Sequence, residues 1–243
     1  MPSPTHRIYL PDAPVSTGDC FDIQGPEAHH AVRVKRLRIG ERVQLLSGTG
    51  TVALAEVLGV EPKSKDRTTL RLRVESVEHL DPVRPRVIVR CPAPKGDALE
   101  TMIDQLSQVG ANAWSHLRTA RSEREPRNLD RLERAAVESL KQCGRAHLMR
   151  IEPPSDLVSL LAHHAPGRLV ADATGSAELP PIADTVELLV GPEGGWSPEE
   201  RQAFTDAGTP LIRFGPHVLR IETAAVVGAA CILHQAQKSG GLL

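Results

Sequence analysis

The spacing of apolar residues changes character near residue 80. Before that point apolar positions fall in short runs broken by turn residues: Arg7–Leu10, Glu41–Leu46, Thr51–Leu58 and Thr69–Val74. Each run has strand length. The last alternates apolar with basic residues, so one face is buried and the other presents Arg71 and Arg73. Short strands at close spacing predict a small β-barrel. Pro26, Glu27 and Ala28 interrupt them by opening a short helix that carries His29, His30, Arg33, Lys35, Arg36 and Arg38. Lys63–Arg67 reads as a hydrophilic hairpin loop. Asp81-Pro82-Val83-Arg84-Pro85 reads as a linker, because its two prolines stop any regular element.

Beyond the linker, strand-like and helix-like stretches alternate. Arg86–Cys91, Ala111–Leu117, Arg168–Ala171, Val186–Val190 and Pro210–Phe214 predict strands, and Asp172 follows the third of these. Asp97–Val109, Asn128–Gln142, Leu157–His164 and Pro198–Ala207 predict helices, with Gly110 and Gly144 as stops. This order predicts an α/β fold. The last helix runs from Arg220 to about Gln237, and its middle, Ala224–Leu233, is apolar on every face. Such a helix is buried all round. Ala225, Gly228, Ala229 and Ala230 leave room for another helix to approach, so a twofold homodimer through this element is the expected assembly.

One stretch organises the second half: Gly191-Pro192-Glu193-Gly194-Gly195-Trp196-Ser197-Pro198-Glu199-Glu200. It follows the apolar strand 186–190, and Ser197, Pro198, Glu199 and Glu200 read as N-cap, first-turn proline and acidic first turn. The glycines therefore cross from the carboxyl end of a strand to a helix start, where open α/β sheets bind ligands. They also fit an ordinary strand-to-helix turn. Trp196 is expected to pack under the loop.

Composition narrows the field. In 243 residues, 40% are apolar and 24% charged, the balance of a soluble globular protein of one or two domains. No apolar run approaches the roughly 20 residues needed to cross a bilayer, and the first residues lack the pattern of a secretory signal. Cys20, Cys91, Cys143 and Cys231 are scattered, with no Cys-x-x-Cys pair. They read as small buried hydrophobes in a reducing cytoplasm rather than as a disulfide or zinc framework. The histidines show no ligand spacing beyond adjacent pairs, so no metal is expected. A net charge of −1 argues against indiscriminate coating of nucleic acid but leaves room for a local basic patch. The His29–Arg38 cluster is that patch, readable as phosphate contact or as a solvated face. Aromatics make up only 2% of the chain, so recognition by stacking on aromatic platforms is hardly available. No Gly-x-Gly-x-x-Gly and no Gly-Lys-Ser/Thr occurs, which disfavours a dinucleotide-dependent oxidoreductase and a P-loop.

Two segments together carry a family resemblance. Gly191-Pro192-Glu193-Gly194-Gly195, followed by Phe214-Gly215-Pro216-His217-Val218-Leu219-Arg220-Ile221-Glu222-Thr223, resembles the SPOUT class of S-adenosylmethionine-dependent RNA methyltransferases. Within it the chain most resembles the family that methylates N3 of a uridine in 16S rRNA of the small ribosomal subunit. Arg7-Ile8-Tyr9 and His30-x-x-x-Val34-x-Arg36 resemble that family's N-terminal RNA-binding domain. Lys95-Gly96 with Gln108-Val109-Gly110, and Gln142-Cys143-Gly144-Arg145, resemble later segments. Gln105, Gln108, Lys35 and His217 depart from its usual lysine, glutamate, leucine and arginine. The resemblance implies a PUA-like β-barrel RNA-binding domain over residues 1–78, a linker over 79–85 and a SPOUT trefoil-knot methyltransferase domain over 86–243.

It also implies roles. The methyl donor S-adenosylmethionine is expected against Leu189, Val190, Gly191, Pro192, Glu193, Gly194, Gly195, Phe214, Gly215, Pro216, Val218, Leu219, Thr223 and Ala224. Arg220 is the expected stabiliser of negative charge on the uracil oxygens, at a helix start whose dipole favours an anion. Glu222 would orient Arg220 or accept a proton, and Glu193 would do either or cap the next helix. Arg220 and Glu222 also fit a structural ion pair. Asp172 fits ribose contact or an ordinary turn. Arg7, His30, Arg33 and Arg36 are the expected RNA contacts. Competing readings are a SPOUT enzyme acting on a ribose 2′-hydroxyl and a non-catalytic RNA-binding module.

Overall fold

A computed structural model of the chain describes residues 6–11, 16–61, 68–122, 125, 126 and 128–240. The first five residues and the Lys63–Arg67 loop lie outside that range. The chain divides into two compact units: Met1–Pro82 with Leu140–Leu148, and Val83–Ser139 with Met149–Leu243. Residues 140–148, which the sequence pattern assigns to the second domain, belong to the first unit.

The first unit is a five-stranded sheet made of β1 (His6–Tyr9), β2 (Cys20–Gln24), β3 (Arg42–Leu46), β4 (Thr51–Glu61) and β5 (Thr69–His79), in the order β1-β3-β4-β5-β2. β1 runs parallel to β3 and the other neighbours are antiparallel. Ile8 of one edge strand and Ile23 of the other share a core with Val43, Val57, Leu70 and Leu72, so the sheet wraps around its own interior. Among the described residues the two edge strands do not pair with each other, so hydrogen bonds leave the barrel open. Arg71 and Arg73 face out as the alternation predicts. Cross-strand carboxylates take up their charge, Asp22 at 2.8 Å and Glu56 at 2.5 Å. The helix α1 (Pro26–His29) continues as one π-helical turn over His30–Val34 and stops. Lys35, Arg36 and Arg38 therefore lie beyond the helix rather than on it.

The second unit carries β6 (Arg86–Cys91), α2 (Ala98–Val109), β7 (Ala113–Arg118), the start of α3 (Leu129–Cys143), β8 (Arg150–Asp156), α4 (Leu157–Leu161), β9 (Arg168–Ser176), β10 (Thr185–Val190), α5 (Pro198–Asp206), β11 (Leu211–Ile212) and α6 (Ile221–Lys238). Its six strands are all parallel in the order β11-β9-β10-β6-β7-β8, with strand-and-helix alternation as predicted. On one face α6 packs against β6, β10 and α2. A Cβ on Gly228 would lie 2.6 Å from Leu188 Cδ2, and Ala225 and Ala229 are wholly buried. Gly228 thus lets α6 sit close on its own sheet, and Ala225 and Ala229 are already covered within the chain. Thr223, Val226, Val227, Ala230, Cys231 and His234 stay exposed or half-buried. On the other face Leu117, Val170 and Leu189 pack with Trp196 and Phe204. Beside them Glu187 joins Arg168 at 2.7 Å and Arg90 at 3.1 Å, a pairing that offsets the cost of burying these charges.

The cysteines split. Cys91 is buried, its thiol pushed up to about 12 by desolvation while the Trp114 indole N–H donates to its sulfur at 3.1 Å. Cys231 is half-buried, and Cys20 and Cys143 are exposed, contrary to the expectation of four buried hydrophobes. No helix among the described residues is long and apolar enough to cross a membrane.

Candidate functional site

The carboxyl end of β10 opens into the glycine turn, and the sequence folds that way for local reasons. Gly195 N–H donates to Pro192 O at 2.8 Å, and Gly195 holds φ +68°, a conformation that costs a side chain strain. Ser197 then starts α5 with a complete capping box. Its Oγ accepts the Glu200 N–H at 3.2 Å, and Glu200 Oε2 accepts the Ser197 N–H at 2.7 Å. Glu200 is thus the capping carboxylate. Glu193 instead faces Lys95 Nζ at 3.5 Å, which removes its helix-capping reading. Arg121 holds the turn from outside by donating to Gly194 O at 2.6 Å. Trp196 is buried beneath, its indole N–H on Ala171 O at 3.2 Å and its ring edge-on to Phe204 at 4.9 Å.

Above this floor lies a cavity of about 230 Å³. It is walled by the glycine turn (Val190, Gly191, Pro192, Glu193, Gly195), by the β11–α6 connection (Phe214, Gly215, His217, Val218, Leu219) and by Ile221 and Ala224 of α6. The two segments singled out in the sequence therefore meet in one pocket. Some expected residues stand apart from its lining. Leu189 is buried under the sheet, Gly194 turns its carbonyl to Arg121, and Pro216 and Thr223 are exposed. Arg220 caps α6 in extended conformation (φ −67°, ψ 159°), exposed, between the lining residues Leu219 and Ile221. It makes no side-chain hydrogen bond or ion pair with any described residue, so the structural Arg220–Glu222 pair does not form. Glu222 is half-buried one residue into the helix.

A third wall has a weak sequence signal. Ala171, Asp172 and Ala173 at the end of β9, and Arg201 of α5, also line the cavity. Burial pushes the Asp172 carboxyl up. Hydrogen bonds from Thr174 and Arg201 more than offset that, holding it below the ordinary aspartate value. Ile212 and Arg213 complete the lining. Among the described residues no cluster of three or more His, Cys, Asp or Glu could hold a metal.

In the first unit His30 is half-buried, while Arg33, Lys35, Arg36 and Arg38 are exposed alongside Val34 and Ile39. Arg36 adopts φ +56°. Arg7, an expected RNA contact, is held by bonds within its own unit. Its Nη1 donates to Lys141 O at 3.1 Å and Gln142 O at 2.8 Å, and its Nε to Gln44 Oε1 at 3.0 Å. It is a cap on the carboxyl end of α3, where a cation also meets the helix dipole favourably.

Comparison with known proteins accords with this arrangement. Residues 82–233 match the family described as RNA methyltransferase domain, and residues 23–66 match the RNA methyltransferase PUA domain. The ribosomal RNA small subunit methyltransferase E of Mycobacterium tuberculosis is 30% identical over 246 residues, covering 93% of this chain and 90% of the relative. The crystal structure of a probable rRNA-methyltransferase from Porphyromonas gingivalis superposes with TM-score 0.80 at 26% identity, covering 97% of this chain and 99% of that one. A ribosomal RNA small subunit methyltransferase E from Neisseria gonorrhoeae, bound to S-adenosyl methionine, shares the fold with TM-score 0.80 at 22% identity, over 96% and 97% of the two chains. An α/β domain with a parallel sheet thus follows a PUA-like N-terminal domain, and the chain belongs to the ribosomal RNA small subunit methyltransferase E family.

Proposed function

We propose that the protein transfers a methyl group from S-adenosylmethionine to N3 of a specific uridine in 16S rRNA of the small ribosomal subunit, in the cytoplasm. The observation that carries this reading is the cavity where the glycine turn and the β11–α6 connection meet, beside an exposed arginine without a partner among the described residues. The lining suits the donor. Val190, Pro192, Phe214, Leu219 and Ile221 give apolar walls for a flat base, and Gly195, with open space where a Cβ would stand, leaves the backbone open to close approach.

When bound, the donor supplies an electrophilic methyl group on a sulfonium. The residues must supply the rest. Uracil N3 is a poor nucleophile until its proton leaves, so charge develops on the flanking carbonyl oxygens. Arg220 stabilises that charge, helped by the amino end of α6, which is 18 residues long. Glu222, half-buried in the first turn of the same helix and not paired with Arg220, takes the proton. His30, Arg33 and Arg36 hold RNA phosphates; Arg7 is withdrawn from that set.

In this reading the β10–α6 region is tied as a trefoil knot, in accord with the family membership. Two copies pair through the part of α6 left partly exposed, Thr223 to His234. The decisive experiment offers labelled donor with small subunits, free 16S rRNA and tRNA, and maps the product by mass. N3-methyluridine in 16S rRNA is the expected outcome. A 2′-O-methylated nucleotide would move the reaction to the ribose, and label confined to tRNA would refute the reading.

A further inference from the structure

The β9 wall of the cavity has no part in the mechanism above, yet it is built with care. Asp172 has a side chain only 3% exposed, and it still lines the cavity. Its Oδ1 accepts from the Thr174 N–H at 2.8 Å and the Thr174 hydroxyl at 2.6 Å. Its Oδ2 accepts from Arg201 Nη2 at 2.8 Å. A carboxylate offers about four lone-pair sites. Those of Oδ1 are filled, and Oδ2 keeps one to spare. The backbone beside it is fixed too, because the Trp196 indole N–H holds Ala171 O at 3.2 Å.

Charge decides what that lone pair suits. Arg201 already balances the carboxylate, so a second cation would gain little there. A neutral hydroxyl gains a charge-assisted hydrogen bond in a desolvated place. The neighbouring walls, Val190, Phe214 and Leu219, are apolar and suit a heteroaromatic base. A base held by apolar walls with a hydroxyl to donate beside it describes a nucleoside.

We propose that Asp172 accepts a hydrogen bond from a ribose hydroxyl of the methyl donor and that Arg201 is the positioning residue that aims it. The proposal rests on the donor-binding reading of the cavity. Arg201 lies on the helix that the glycine turn launches, so the same element shapes the turn and holds the ribose acceptor.

The test is calorimetry without RNA, using S-adenosylhomocysteine and its 2′-deoxy and 3′-deoxy counterparts. Wild-type protein should lose about tenfold in affinity when the recognised hydroxyl is absent. Asp172→Ala and Asp172→Asn should bind the parent ligand more weakly and discriminate less between it and the deoxy forms. Arg201→Gln should reduce the discrimination ratio, a readout that a purely structural role would leave unchanged. Should Asp172→Ala fail to fold, as a thermal melt would show, the deoxy ligands on wild type and on Asp172→Asn still decide. Equal binding of all three ligands by the wild type would overturn the proposal while leaving donor binding intact. Failure of the wild type to bind any of them would bring down the donor reading and this inference with it.

Discussion

Gly191 and Trp196 are in such close register that a Cβ on the glycine would sit 2.9 Å from Cε2 of the indole. The ring cannot yield easily, being buried, hydrogen-bonded to Ala171 O and packed edge-on to Phe204. Gly191 is therefore required by the floor of the cavity itself. Gly195 differs: nothing lies within 4 Å of its would-be Cβ, and its φ of +68° is the constraint. Gly191→Ala should destabilise the protein by about 1–3 kcal/mol through overpacking and weaken donor binding as the indole shifts. Gly195→Ala should cost about 1–2 kcal/mol, and Gly195→Asn less, because asparagine tolerates the left-handed region better. Denaturant melts paired with donor titrations test both. Equal tolerance of alanine and asparagine at 195 would count against the backbone account.

Arg7 and Gly144 form a second close pair. A Cβ on Gly144 would lie 2.7 Å from the Arg7 Cζ, and the glycine's φ is +77°. Arg7→Ala should cost about 1–2 kcal/mol by releasing the last carbonyls of α3. Gly144→Ala should cost a similar amount by straining the backbone and pushing the guanidinium away. The double variant should be less destabilised than the sum, because the clash disappears with the arginine. RNA affinity and its salt slope should stay as in wild type. A fall in that slope for Arg7→Ala would restore the arginine to the RNA-binding set.

The legible parts of this molecule follow from how burial writes itself into sequence. β6 and β10 lie inside a parallel sheet, so both faces are covered and each reads as an apolar run broken by one inner charge, Arg90 and Glu187, which pair with each other. β8 did not read as a strand because Pro153 and Pro154 sit within it, which only an edge strand tolerates, and β8 is at the sheet edge. β2 offers two inward residues, Phe21 and Ile23, between exposed positions, too short a pattern to separate from a loop. At the site, the glycine turn and the 214–220 segment announced themselves by motif. Arg201 did not, because its meaning depends on Asp172, 29 positions earlier by residue number and brought near only by β9 pairing with β10.

The basic patch of the first unit separates charge from strain at one residue. Arg36 is exposed with φ +56°, where an L side chain carries a penalty of about 1–2 kcal/mol. Arg36→Gly should therefore keep or raise stability while weakening RNA binding. Its salt slope should fall by about 0.7–0.9, the value for one phosphate contact. Arg33→Ala should lower the slope alike with little change in stability. Filter binding across a salt series, beside thermal melts, distinguishes the effects; an unchanged slope in both variants would place the RNA elsewhere.

Acid should weaken the second unit in two separate steps. His116 is buried, and desolvation lowers its pKa while Nδ1 accepts the Ala93 N–H at 3.1 Å. A histidine depressed in the folded state contributes nothing at neutral pH. Stability then falls as pH drops below about 6.5, where the unfolded chain takes the proton first. Asp172 is also depressed, so its contribution is intact above about 4 and is lost as pH falls through its lower folded value. Denaturant midpoints measured from pH 8 to pH 2.5 should show both declines. His116→Asn should remove the first and Asp172→Asn should shrink the second, to which Glu199 and Glu125, also held low, add.

Arg220 should separate catalysis from everything else. It has no side-chain partner among the described residues and stands outside the cavity lining, so its removal should leave the melting temperature and donor affinity near wild type. Arg220→Ala should lower kcat by about a hundredfold or more, the usual effect of deleting one donor to a developing oxyanion. Arg220→Lys should recover part of that, because the charge remains and the forked geometry is lost. Glu222→Gln should also lower kcat. If Glu222 accepts the N3 proton, the loss should shrink as pH rises and the uracil ionises unaided. A melting temperature several degrees lower in Arg220→Ala, with kcat intact, would mean that the arginine holds the fold rather than the reacting base.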